Sequence, residues 1–208
     1  MTRVRMARNY DMRKRGKAAE QASAEIVAAA HRLLARPDGG TLTLEEVALE
    51  AGVSRSTVYN RVGRRAELLE AVFKDQGRLI GFDRVLAALA LEDPHAAVDA
   101  TVHESCRAWS VMPVAIRRTL ALAVMDPEVR TLVERFERAR RAHLATLATT
   151  LSEAGVLPPR MDQDRAHATL VLLTGFPAYD ALAFDRPAAE TEALLARMVR
   201  TALGLGIA

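Results

Sequence analysis

The amino-acid sequence predicts an all-α fold, and three observations carry the prediction. Strand-like alternation with β-branched residues is almost absent, so a sheet has nothing to be built from. Proline, glycine and acidic caps divide the chain beyond Lys17 into helix-sized lengths. Half of the 208 residues are apolar, ample for a buried core, and the single cysteine, Cys106, supplies neither an intramolecular disulfide nor a thiolate metal cluster. No apolar run reaches the roughly 18 residues that span a bilayer, and the start of the chain is basic and polar, unlike a secretion signal. The expectation is a cytoplasmic protein with no membrane partner.

Charge is unevenly placed. Residues 1–70 carry 13 Lys/Arg against 9 Asp/Glu, whereas residues 71–208 carry 16 against 17. Residues 1–17 hold Arg3, Arg5, Arg8, Arg13, Lys14, Arg15 and Lys17 against Asp11 alone, and read as a basic N-terminal arm. Such an arm suits an anionic polymer; composition alone fits a solvated, disordered tail equally well.

The first helix is expected from about Ala18 to Ala35, with Ile26, Ala30, Leu33 and Leu34 inward, ended by Pro37-Asp38-Gly39-Gly40. Thr43 then caps a second helix whose Leu44, Val47, Ala48 and Ala51 form one apolar face. Gly52 suits a tight or left-handed turn, Val53 can pack between helices, and Ser54 can cap a third helix with Val58 inward. That third helix is only about two turns long and must be held by its neighbours. Its outer side collects Arg55, Ser56, Thr57, Tyr59 and Asn60, a donor-rich set suited to phosphates and base edges on an element that fits the DNA major groove. A short αα-hairpin turning at glycine also occurs in proteins that never meet DNA.

Thr43-Leu44-Glu45-Glu46-Val47-Ala48, Ala51-Gly52-Val53-Ser54, Ser56-Thr57-Val58-Tyr59, then Arg65 and Leu68-Leu69, resemble the N-terminal domain of the TetR family of bacterial transcription regulators. The resemblance covers residues 18 to 75; Val62, Arg64 and Ala66 depart from the family's usual aromatic, small polar and acidic residues. It implies a three-helix helix-turn-helix DNA-binding domain at 18–75 and a larger helical effector-binding and dimerisation domain at 76–208. By the same resemblance Thr43, Thr57 and Tyr59 would hold phosphates, and Arg55 and Ser56 would face base edges or backbone. Asn60 would reach a base or phosphate, and Arg65 would replace a phosphate-binding lysine. Ser54 joins this set as the cap of the reading helix. The implied partners are a double-stranded operator, a second copy of the chain and a small-molecule effector of unknown identity, with no cofactor.

Beyond residue 76, Asp93-Pro94, Asp126-Pro127 and Arg186-Pro187 predict helices near 94–111, 127–154 and 187–203, with another near 113–125. The stretch Asp162 to Phe184 is apolar on most sides, and the last helix has Leu194, Leu195, Met198, Val199, Ala202 and Leu203 on a broad stripe. By resemblance these two build a four-helix dimer interface. Trp109, Met112, Met125, Phe136, His143 and Phe176 are candidate lining for an effector pocket, although methionine and aromatics at helical spacing are usually core. His103 and Cys106 stand at i and i+3, and a third metal ligand is not in sight. No HExxH, P-loop, GxSxG or dinucleotide glycine pattern occurs, so the alternatives, a helical enzyme or a helical interaction protein without DNA, lack a motif.

Overall fold

The computed structural model describes residues 2–36 and 41–206, with side chains placed from residue 19 onward. The described residues contain no strand. Eleven helices occur among them in this order: α1 (Thr2–Ala35), α2 (Leu44–Ala51), α3 (Arg55–Val62), α4 (Arg65–Leu79), α5 (Phe82–Leu89), α6 (Pro94–Val111), α7 (Pro113–Met125), α8 (Pro127–Glu153), α9 (Gln163–Leu173), α10 (Phe176–Leu182) and α11 (Ala188–Leu203). No single helix among the described residues is long and apolar enough to cross a membrane.

Helix α1 begins at Thr2, well before Ala18, so the basic segment is its N-terminal part and not an extended arm ahead of it. Met, Ala, Arg and Lys are good helix formers, and charge alone does not stop a helix. The Pro37–Gly40 turn lies outside the described residues.

Caps set most boundaries. Thr43 and Glu46 form a reciprocal capping box, with Glu46 N donating to Thr43 Oγ1 at 3.2 Å and Thr43 N to Glu46 Oε2 at 2.8 Å. Burial alone would raise the Glu46 carboxyl, but hydrogen bonds from Thr43 and Thr41 more than offset it and hold the group below its ordinary value. Gly52 takes the left-handed conformation at φ 65°, ψ 30°, cheap for glycine alone. Val53, expected between helices, is instead partly exposed, because the turn that joins its N–H to Ala48 O swings the side chain outward. The side chains of Asp93, Asp126 and Asp162 cap α6, α8 and α9, with Pro94 and Pro127 in the first turns of α6 and α8. Pro187 differs: it occupies the cap position and α11 starts one residue later.

The apolar stretch 162–184 is broken into α9 and α10. Gly175 takes extended backbone before α10, and Pro177 in the first turn of α10 has no N–H to continue α9. The short α5, which the pattern of the sequence does not announce, starts at Gly81 in the left-handed region.

Two clusters of buried apolar side chains organise the molecule. One gathers Ile26, Leu34, Val47, Val58, Leu68 and Leu69 and continues into Ala115 and Ala123 of α7 and Val129 and Leu132 of α8. The other gathers Val98, Val102, Trp109, Leu144, Leu151, Leu170, Leu195 and Leu203. Met112 packs against both. Leu195 is 1% exposed within a single chain and belongs to that chain's own core, whereas Ala193, Arg197, Met198 and Thr201 form the outward side of α11.

Candidate nucleic-acid interface and effector cavity

Helix α3 is fixed by Val58, fully buried, and by its links to neighbouring helices; Ser23 Oγ of α1 donates to Arg61 O at 3.3 Å. The opposite side is polar and open. Ser54, Arg55, Ser56, Tyr59 and Asn60 are exposed and Thr57 half-buried. Ser54 Oγ accepts from Thr57 N at 3.1 Å and lies 2.8 Å from Ser56 Oγ and 2.9 Å from Thr57 Oγ1, so three hydroxyls converge at the N-terminus of α3. There the helix dipole and the free N–H groups favour negative charge. Thr43 caps α2 in the same head. Arg55 is ion-paired with Glu45 of α2, an exposed pair that water or a phosphate can replace at small cost.

Arg65, at the start of α4, has partners within the protein. Its guanidinium is taken up by Asp126 and Glu128 at the start of α8 and by the carbonyls of Thr41 and Leu42. Leu42 is the one non-glycine residue at positive φ (56°) among the described residues, and the Arg65 contact helps to hold that turn.

A cavity of about 510 Å³ lies between α4, α6, α7, α8, α9 and α10. Of the candidate lining residues, Trp109, Met112, Phe136 and Phe176 are on its wall, joined by Phe73 and Ile80 from the α4 side and by Ile116 and Leu120. The Trp109 and Phe176 rings meet edge to face, with centroids 5.8 Å apart. Two of the candidates lie off this wall. Ile116 and Leu120 of α7, with Met112 at its N-cap four residues earlier, share the lining face, while Met125 is off that face at the helix end and 84% exposed. His143 lies two turns beyond Phe136, exposed, beside a separate cleft of about 10 Å³.

The sequence pattern does not reveal the cavity's polar groups, Gln76, Thr119, Glu137 and Arg140. Arg140 is 7% exposed. A signal for it exists: Phe136, Arg140, Leu144 and Leu147 lie on one helical stripe, and an arginine inside such a stripe is rarely buried without a task. Among the described residues no group of three or more His, Cys, Asp or Glu side chains, His103 and Cys106 included, is placed to hold a metal ion. His103 Nδ1 lies 2.8 Å from Glu192 Oε1, while Cys106 is buried, its thiol pushed up to about 12 by burial and by the Glu192 charge.

Residues 26–72 match the family model described as bacterial regulatory proteins, tetR family. No curated protein matches the sequence. Among solved structures, a protein of Mesorhizobium loti described as a TetR-family transcriptional regulator is similar over 91% of this chain and 98% of its own, with 20% identity and a TM-score of 0.62. The fatty acid degradation regulator FadR of Bacillus halodurans matches 88% of this chain and 95% of its own at 17% identity and a TM-score of 0.62. A Clostridium perfringens protein described as a fatty acid metabolism regulator matches 88% and 99% at 12% identity and a TM-score of 0.67. At these identities the likeness is one of fold.

Proposed function

We infer that a chain whose residues 26–72 are a TetR-family DNA-binding domain acts as a ligand-responsive transcription regulator, a repressor that binds an inverted-repeat operator as a homodimer. The observation that carries the reading is the exposed polar side of α3, anchored from behind by Val58. Arg55, Ser56 and Asn60 meet base edges, and Thr43, Ser54, Thr57 and Tyr59 meet phosphates. Two-fold symmetry puts the half-sites about one helical turn, roughly 34 Å, or somewhat more apart. Arg65 acts from behind the head by fixing the turn before α2.

The cavity supports the ligand half of the reading. Phe73, Gln76 and Gly77 of α4 are on its wall, and α4 starts at Arg65 beside the reading helix. An occupant shifts the head only if it binds the DNA-competent and DNA-incompetent states unequally; a coupling of about 1–3 kcal/mol gives roughly 5- to 150-fold in operator affinity. Selection of bound fragments from genomic DNA tests the proposal. The expected product is a short inverted repeat; recovery of fragments without a common sequence would refute it.

A further inference from the structure

The wall of the cavity is largely apolar; Gln76 and Thr119 are bonded to each other, and the buried charge on the wall is Arg140 of α8. Its Nε donates to both Glu137 carboxylate oxygens at 3.2 Å, its Nη2 to Glu137 Oε2 and to Val171 O, both at 3.1 Å, and its Nη1 to Thr174 Oγ1 at 3.3 Å. A guanidinium has five N–H donors, so one on Nη1 remains. The other wall donor nearby is spent: Trp109 Nε1 donates to Thr174 O at 2.9 Å. Arg141, exposed, adds a second cation at the same wall. Burial of a guanidinium is costly unless it is matched, and Glu137 is a movable match, on a side chain 38% exposed that can swing into water.

We propose that the effector is an apolar molecule carrying one carboxylate, which takes Arg140 from Glu137 while its apolar part fills the space beside Trp109, Met112 and Phe176. The proposal rests on the reading of this cavity as the effector site. A carboxylate matches the planar fork that Glu137 now occupies, and Arg140 and Arg141 together repel a cationic ligand. A dianion is less suited, since the fork that Glu137 vacates matches a single carboxylate. The volume falls within the roughly 300–1,000 Å³ of small-molecule sites.

Trp109 is the only tryptophan, so its fluorescence reports occupancy without a label. The full chain is titrated with decanoate, decanol and decylamine. Decanoate is expected to bind about tenfold more tightly than decanol, with decylamine weakest. Glu137→Gln removes the internal competitor and should tighten decanoate several-fold while leaving decanol unchanged; a merely structural pair gives no such gain. Arg140→Gln should abolish the preference, and if that variant fails to fold, the unmodified protein and Glu137→Gln still decide. Equal or tighter binding of decanol, no gain in Glu137→Gln, or no response to any probe overturns the proposal. Fragment selection on the same preparation separates the two readings: a selected operator without carboxylate preference sinks this inference alone, and carboxylate preference without a selected operator sinks the regulator reading alone.

Discussion

The Arg65 guanidinium holds the Asp126 carboxylate, and so ties the first residue of α4 to the cap of α8. The same guanidinium donates to Thr41 O at 2.7 Å and Leu42 O at 3.2 Å, which places three helix starts around one side chain. Arg65→Ala should destabilise the protein by about 1–3 kcal/mol, the usual worth of hydrogen bonds to charged groups. Urea unfolding measures it; a change under about 0.5 kcal/mol would mean that Arg65 is free to serve as a phosphate ligand.

One source of acid sensitivity is His31. Burial lowers its pKa, against the opposing influence of Asp75, whose Oδ2 lies 3.1 Å from Nε2, and Nδ1 has no partner among the described residues. With the folded value below the ordinary 6.5, the unfolded chain binds the proton first. Stability should therefore fall as pH drops from about 6.5 toward the lowered value, then level off with respect to this group. Equilibrium unfolding between neutral and mildly acidic pH should show a shallower decline for His31→Gln than for the parent protein.

Under the proposed function, the exposed side of α3 makes two kinds of contact. Replacement of Arg55 or Asn60 by Ala should cost about 1–3 kcal/mol on the preferred operator and blur one base position. Tyr59→Phe should weaken all duplexes nearly alike. Competition binding with single-base operator variants distinguishes them, and uniform weakening by Arg55→Ala and Asn60→Ala would remove direct readout from these residues.

Dimerisation needs side chains that one chain leaves uncovered. Leu195 does not qualify, and a charge there would unfold the subunit. Leu172, 68% exposed, and Met198, 40% exposed, do qualify. Leu172→Glu and Met198→Glu should leave helix content intact and shift sedimentation at micromolar concentration from dimer to monomer; folded variants that remain dimeric would place the interface elsewhere.

The basic segment offers a salt test. Deletion of residues 2–15 removes Arg3, Arg5, Arg8, Arg13, Lys14 and Arg15. If two of these per subunit neutralise phosphates, the slope of log K against log salt falls by roughly 3.6, with little change in sequence preference. Operator titrations from low to moderate salt measure the slope, and identical slopes would identify a solvated segment.

The head is legible in the sequence because its signals are local. Thr43, Gly52 and Ser54 act through backbone groups within a few residues, and the structure caps and turns the chain at each. The start of α1 is not legible in the same way, because a run of charge reads as irregularity even where the segment contains strong helix formers. The cavity is half legible: Trp109, Met112, Phe136 and Phe176 lie on apolar stripes, but which stripe faces space and which faces protein depends on how α7 and α8 cross. Arg140 is hidden because its partners Val171 and Thr174 sit at a helix break about thirty residues away. Arg65 is hidden for the same reason, being matched by carboxylates more than sixty residues downstream.

Met112 stands between α6 and α7, touches both buried clusters and also forms part of the cavity wall. A thioether on an unbranched stem changes shape at little torsional cost, whereas the leucines and valines around it do not. Protein interiors are packed to the density of organic crystals, so volume that enters on one side of such a side chain is displaced to the other. The partition between the two clusters is therefore soft at Met112, and Phe73 and Val133, which also line the cavity and pack against the cluster beneath α3, complete it.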